Sequence, residues 1–230
     1  MRKLLVAVMA MVTMFWFTTP THATLFDRGG GLIYDDHLNI TWLQDANYAK
    51  TSNYDADGQM SWAGATAWAA NLSYLDSVRN VTYDDWRLPT TVDGPYVFGY
   101  NGTTTAGYNI TSSEMGYMYY ENLGNKGYYA KDGTNPQSGW GLQNTSPFLN
   151  LQPDDYFSGT EYSSNSALGW IFGFHIGGQF NFHKDYYIYY AWAVRSGDVF
   201  SAPVPEPATM LLLGSGLLGL AGYGRKKFKK

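Results

Sequence analysis

The chain has no cysteine among its 230 residues. This absence excludes disulfide bonds, thiolate nucleophiles and metal sites built on cysteine. The fold must therefore be stabilised by side-chain packing. Aromatic residues supply the material, since the sequence contains 20 Tyr, 12 Phe and 8 Trp. Most of these rings are expected in the core, and the surplus would be available as a surface on which sugars stack.

Basic residues are scarce away from the two ends. Residues 24–204 carry eight Lys and Arg against 18 Asp and Glu, a net charge of −10, whereas the whole chain has a net charge of −4. Such an acidic segment repels phosphate backbones and offers no basic stripe, so the sequence argues against nucleic acid as a partner. Sulfated or acidic polysaccharide is disfavoured for the same reason.

The N-terminus has the organisation of a secretory signal peptide. Two basic residues precede a short apolar stretch, residues 4–17, and a site of small residues ends at Ala23. We predict a signal peptide over residues 1–23 that directs the chain to the Sec machinery and is cut between Ala23 and Thr24. A permanent N-terminal anchor is the alternative, but the shortness of the apolar run and the break at Pro20 disfavour it.

The C-terminus has three parts in a fixed order. A Pro-Glu-Pro segment, Pro205, Glu206 and Pro207, stays extended because proline cannot donate to a helix or a sheet. Residues 208–223 follow without a charge, and as a helix they would be about 24 Å long, slightly short of a bilayer core. We predict a transmembrane helix here, with the cations that follow it on the cytoplasmic side: Arg225, Lys226, Lys227, Lys229 and Lys230.

This tail, residues 204–230, resembles the PEP-CTERM sorting signal of Gram-negative envelopes, which an exosortase recognises and cuts during export. The resemblance implies an exosortase as partner and a transient anchor in the inner membrane. It also implies a final place in the cell envelope, on the cell surface or outside the cell. A simple tail anchor is the alternative interpretation of the same three parts.

The middle of the chain, residues 24–203, is long enough for one domain. Two helices early and strands late predict an α+β fold with an antiparallel β meander. Alternation around a polar turn predicts a β-hairpin over residues 31–45. Ser61 is predicted to cap the first helix, and Thr111 with Glu114 to open the second.

Two long segments between these elements are rich in Gly, Asn, Thr and Tyr. Residues 91–110 and 124–147 are predicted as loops, which at that length are functional or mobile. From Tyr156 onward, period-two aromatic placement predicts strands.

The order of several motifs carries a second resemblance: GLIYDD, ITWLQDAN, MSWAGATAWAANL, DDWRLPT, SEMGYMYYENLG, YFSGTEY and YAWAVRSGD. Together they look like the family that includes the Lcl C-terminal domain of a collagen-like bacterial adhesin. The resemblance implies a C-type-lectin-like fold and, less directly, glycan binding. Phe157 stands where relatives have Trp.

A loop before the first helix matches the first half of a calcium-binding loop. Asn53, Asp55 and Asp57 alternate as oxygen ligands, and Gly58 would make the sharp turn. The twelfth position is Gly64, where a bidentate Glu is needed. We predict calcium as the one candidate cofactor, with a polar turn that caps the following helix as the alternative.

The sequence gives catalysis little support. The histidines have no metalloprotease spacing, and Glu161 is the only residue singled out as a glycoside-hydrolysing carboxylate. Gln152-Pro153-Asp154 reproduces a sugar-reading tripeptide of true C-type lectins, but its partner motif is missing.

The two long loops contain five aromatic residues that are predicted to be exposed and to bind ligand: Tyr100, Tyr108, Tyr128, Tyr129 and Trp140. The sequence therefore predicts an exported, non-catalytic module that binds glycan or another envelope component. A purely structural matrix protein and a carbohydrate-active hydrolase are the alternatives.

Overall fold

The computed structural model describes residues 24–200, which form two larger sheets, a separate two-stranded hairpin and short helices. One sheet is antiparallel, in the order β1–β2–β3–β13, and its strands are Leu25–Asp27, Leu32–Asp35, Ile40–Leu43 and Val194–Ser196. The predicted hairpin over residues 31–45 is confirmed as β2 and β3. Asp35 accepts the backbone N–H groups of His37 and Leu38 in the turn, so the polar residues close the hairpin.

The larger sheet has seven strands in the order β4–β12–β9–β10–β11–β8–β7. In chain order they are Gln59–Met60, Phe98–Gly99, Ala106–Tyr108, Asp155–Glu161, Leu168–Gly173, Gly178–His183 and Tyr189–Tyr190, which are β4 and β7 to β12. The prediction of an antiparallel meander holds for β9, β10 and β11. It is wrong for β12, which pairs with β9 in parallel. The prediction of a loop over residues 91–110 is wrong for β7 and β8, which form a parallel pair in this sheet.

Short elements connect the sheets. A separate hairpin consists of β5, Tyr74–Asp76, and β6, Val81–Tyr83. The helices are α1, Tyr48–Thr51, α2, Trp62–Ala70, and α3, Glu114–Tyr117, which continues as a π-helical turn over Met118–Asn122. No helix within residues 24–200 is long and apolar enough to cross a membrane. The predicted signal peptide and the predicted helix over residues 208–223 lie outside the described residues.

The N-caps of the two longer helical segments differ in how well they were predicted. Ser61 accepts the N–H of Gly64 at 3.2 Å, which confirms it as the cap of α2. The cap of α3 is Ser113, which accepts the N–H of Gly116 at 3.1 Å, and not Thr111. Glu114 is therefore the first helical residue, where its side chain pairs with Arg87 instead of closing a capping box.

The core lies between the two sheets. The rings of Trp42 and Trp192 contact each other at a centroid distance of 4.4 Å, and Trp192 reaches Tyr156 of β9 at 6.3 Å. Phe148 packs edge-on against Trp192 at 4.7 Å. The buried indole of Trp192 donates to the carbonyl of Leu43 at 2.7 Å, so its polar group is satisfied.

Alternation along the strands divides the seven-stranded sheet into two faces. We call the face that carries Tyr156, Phe172 and Gln179 the inner face, since it meets the core. The opposite face carries Phe157, Ile171 and Phe180, which are paired across β9, β10 and β11, and is called the outer face.

Arg87 ties α3 to the sheets. Its guanidinium makes two hydrogen bonds of 2.7 Å to the carboxylate of Glu114, and its backbone pairs with Val194 of β13. The planar guanidinium of Arg87 is thus held by two parallel hydrogen bonds to Glu114. Trp86 and Trp192 are buried, whereas Trp62 is only half-buried.

Candidate functional site

The five aromatic residues predicted to bind ligand lie together, and we call them the tyrosine cluster. Tyr129 stacks on Tyr100 at a centroid distance of 4.5 Å and meets Tyr108 at 4.8 Å. Tyr128 packs edge-on against Tyr129 at 5.2 Å and against Trp140 at 4.9 Å. The two segments predicted as separate long loops therefore meet in one continuous aromatic array.

Asn109 holds the two segments of the cluster together. Its Nδ2 donates to the carbonyls of Tyr100 at 2.7 Å and Tyr129 at 2.9 Å, so one amide fixes both ring-bearing backbones. Gln137 adds a second amide that donates to Gly127 and Tyr129. Asn109 adopts a positive φ of 58°, a conformation that Asn tolerates better than most residues.

Exposure within the cluster is uneven, which corrects the prediction that all five rings lie outside the core. Trp140 is 38 % exposed, whereas Tyr108 is only 7 % exposed and belongs to β8. Burial raises the pKa of Tyr108 to about 12. Tyr100, Tyr128 and Tyr129 are half-buried. Tyr108 thus supports the cluster from below, and Trp140 presents the most open ring.

The outer face extends the array by residues that the sequence analysis missed. Phe98 meets Tyr100 at 5.2 Å and stacks near Phe180 at 6.5 Å, and the row continues to Phe182 and Tyr187. Phe98 and Tyr187 are each 45 % exposed. The period-two spacing of Phe180 and Phe182 indicates that these two rings share a face of the sheet. The pairing of β7, β8 and β11, which brings Phe98 beside them, could not be predicted from the sequence.

The loop predicted to bind calcium lines a cavity of about 730 Å³. Oδ1 of Asp55 accepts the backbone N–H groups of Asp57 and Gly58, and Oδ1 of Asp57 accepts that of Gln59. These contacts form the polar turn that was the alternative interpretation. The N–H of Gly58 lowers the pKa of Asp55. Asn53 lines the same cavity, and calcium binding by Asn53, Asp55 and Asp57 stays a prediction.

Gln152 and Asp154 of the lectin-like tripeptide take part in different sites. Gln152 lines the cavity, whereas the carboxylate of Asp154 lies near Asp155 and His175, with one ligand atom of each within 4.8 Å of the others. The Asp155 carboxylate is 3.6 Å from His175 Nδ1. Burial raises the pKa of Asp155 to about 6, although the charge of His175 opposes the shift.

Glu161, the carboxylate predicted for a hydrolase, forms a half-exposed ion pair with Lys184 at 2.5 Å. Two of the other histidines contact aromatic rings: His37 stacks on Tyr117 at 4.4 Å, and His183 lies against Tyr186. These contacts give the two histidines structural roles.

The comparison with known proteins decides the nature of the tail. Residues 203–226 match the PEP-CTERM protein-sorting motif. The chain carries an exosortase sorting signal. The motif indicates an exported protein that is directed to an exosortase and to the cell envelope or surface. No curated protein and no solved structure matches the chain. The resemblance to the Lcl C-terminal domain, and with it the C-type-lectin-like fold, stays a prediction.

Proposed function

We propose that residues 24–200 of this exported protein form a non-catalytic module that binds neutral or weakly charged polysaccharide, or another envelope component, through the tyrosine cluster. The observation that carries the proposal is the continuous contact of five aromatic rings from two separate segments of the chain. Rings of this kind bury apolar area against the CH faces of sugars and need no charge on the ligand.

The charge of the chain favours a ligand without strong negative charge. Residues 24–204 have a net charge of −10, and an anionic polysaccharide would approach against that field. Within the cluster itself the recognising groups are phenol hydroxyls, an indole and backbone amides. Added salt is therefore expected to weaken binding only slightly, since screening acts on charge pairs.

We infer the export route of the protein from its two terminal segments. The signal peptide over residues 1–23 would deliver the chain to the Sec machinery, and residues 208–223 would hold it transiently in the inner membrane. Exosortase cleavage near Pro205 to Pro207 would then release it to the envelope, the cell surface or the medium.

A glycan array probed with the full-length protein tests the binding proposal. We expect neutral polysaccharides to bind and Trp140→Ala to lower their affinity at least about tenfold. Phe26→Ala is the matched control, because Phe26 is 36 % exposed but lies on β1, outside the cluster. Circular dichroism would establish that both variants are folded.

The same experiment separates the alternative functions. If no glycan of any charge class binds the folded protein, the binding proposal fails and a structural matrix protein replaces it. If Trp140→Ala unfolds the domain, the ring belongs to the core and the cluster is not a binding surface. The ion pair of Glu161 with Lys184 favours the non-catalytic proposal over a hydrolase.

A further inference from the structure

The cavity beside residues 53–57 shares none of its lining residues with the tyrosine cluster. Its lining combines two kinds of group that recognise a hydroxylated ligand. The amides of Asn53, Asn150 and Gln152 offer both donors and acceptors, and the rings of Tyr54 and Tyr190 offer apolar faces. At about 730 Å³ the cavity is in the size range of small-ligand sites.

Negative charge dominates this cavity. Asp55 and Asp57 line it, and each has one carboxylate oxygen engaged in the turn, which leaves the other oxygen without a hydrogen bond to the turn's backbone. Asp45 does not line the cavity itself, but its carboxylate accepts hydrogen bonds from two lining residues, Asn47 and Asn150. Lys50 is the one cationic side chain among the lining residues. The balance of three carboxylates against one ammonium group favours a cationic ligand.

A buried acceptor beside the loop adds to this polarity. Asn47 is 4 % exposed, and its Nδ2 donates to the carbonyl of Asp57 at 3.1 Å, while its Oδ1 has no hydrogen-bond partner. Gly58 makes room for that oxygen, since a Cβ atom at this position would lie 1.8 Å from it. Asn47 therefore holds the loop backbone at Asp57 and Gly58, and its unpartnered oxygen adds negative polarity beside the cavity.

We infer that this cavity binds a primary ammonium group carried on a hydroxylated ring, the chemistry of an N-deacetylated amino sugar. The carboxylates of Asp55 and Asp57 would accept from the ammonium group, the amides would bind the ring hydroxyls, and a tyrosine face would cover the ring. The inference goes beyond the proposed function and does not depend on it, because the neutral-glycan surface is built from other residues.

The two carboxylates of this loop are enough to bind an ammonium ion but fewer than a calcium loop uses. Calcium loops use several carboxylates and a bidentate Glu at the twelfth position, whereas this loop supplies two carboxylates and has Gly64 at that position, inside α2. Lys50 in the same wall opposes a divalent ion more strongly than a monovalent one.

Calorimetric titration of the full-length protein with three ligands tests the inference. The ligands are a glucosamine trisaccharide, its fully N-acetylated counterpart and butylamine, at slightly acidic pH where the amines are protonated. We expect the glucosamine trisaccharide to bind at least about tenfold more tightly than either of the others. Its affinity should also fall as salt is added, since the contact is between opposite charges.

Two isosteric variants assign the binding to the cavity. Asp57→Asn removes a lining carboxylate and should lower the affinity for the glucosamine trisaccharide at least about tenfold. Asp84→Asn makes the same charge change at an exposed residue outside the cavity and should leave the affinity unchanged. Trp140→Ala should also leave it unchanged, which separates this site from the tyrosine cluster.

Four results would overturn the inference. The first is equal affinity for the acetylated and deacetylated sugars, and the second is no binding of the amino sugar by the folded protein. The third is unchanged affinity in Asp57→Asn. The fourth is a rise in melting temperature with millimolar calcium that Asp57→Asn abolishes, since the loop would then be a calcium site.

Discussion

The two faces of the seven-stranded sheet are built from the same kinds of residue and differ in what covers them. On the inner face, Tyr156 and Phe172 are at most 1 % exposed and pack against Trp192 and the π-helical turn. On the outer face, the exposure of the rings is uneven, from the fully buried Phe157 on β9 to Phe98 on the edge strand β7, which is 45 % exposed. Aromatic content alone therefore does not distinguish a core from a binding surface.

The difference between the faces comes from their partners. The inner face meets a second sheet, and the space between the layers is filled by Trp42 of β3 and by Trp192, which lies just before β13. The outer face is covered near β9 by Tyr189, which packs on Phe157 at 5.0 Å, whereas at the β7 edge Phe98 contacts the rings of Tyr108 and Phe180 and stays 45 % exposed. A ring that neighbouring rings hold in place while one side stays exposed suits stacking against a ligand.

The largest expected effect comes from the inner face. Phe172→Ala would leave a cavity against Tyr119 and Phe174, whose rings lie 5.4 and 5.1 Å away, and is expected to lower the free energy of unfolding by about 3–5 kcal/mol. Urea denaturation of the variant measures it. A loss of less than about 1 kcal/mol would mean that the inner face is not the core.

A buried carboxylate provides the next test. Asp155 lies on the same face of β9 as Phe157, its side chain is 19 % exposed, and burial raises its pKa to about 6 from the usual 3.8. Because the folded-state pKa is the higher one, the buried charge costs no stability below about pH 4, and the cost grows between about pH 4 and pH 6 and is constant above that.

Asp155→Asn should remove this cost. The variant is expected to match the parent in stability near pH 4 and to exceed it by about 2–3 kcal/mol near pH 8, as measured by urea denaturation across that range. A variant that loses stability at neutral pH would show that the contact of Asp155 with His175 outweighs the burial of the charge.

Local signals in the sequence predicted the parts of the fold that depend on neighbouring residues. The hairpin of β2 and β3 and the helix capped by Ser61 were predicted, because turn residues and caps act within a few positions. The tyrosine cluster was predicted as a set of residues but not as a contact, since Asn109 joins segments about 20 residues apart.

Pairing between distant strands could not be predicted in the same way. Tyr108 was placed in a loop because its segment is rich in Gly and Asn, yet it forms β8 by pairing with Gly178, some 70 residues away. The aromatic alternation from Tyr156 onward predicted strands but not their division, since its last run forms β12 in one sheet and β13 in the other. The alternation pattern shows which residues share a face and does not name the strand that lies beside them.

The smallest expected change in stability separates the two faces most directly. Phe98 has its ring 45 % exposed, and its contacts are with Tyr100, Tyr108 and Phe180 of the outer face. Only about half of the apolar area of Phe98 is buried, so Phe98→Ala should lower the free energy of unfolding by only about 1 kcal/mol. If the proposed function is right, the same variant should weaken neutral-glycan binding several-fold, because Phe98 supports the ring of Tyr100.

Phe172→Ala has the opposite profile, with a large loss of stability and no contact with the cluster. If Phe98→Ala destabilised the protein as much as Phe172→Ala, the two faces would both be core and the outer aromatic row would have no surface role.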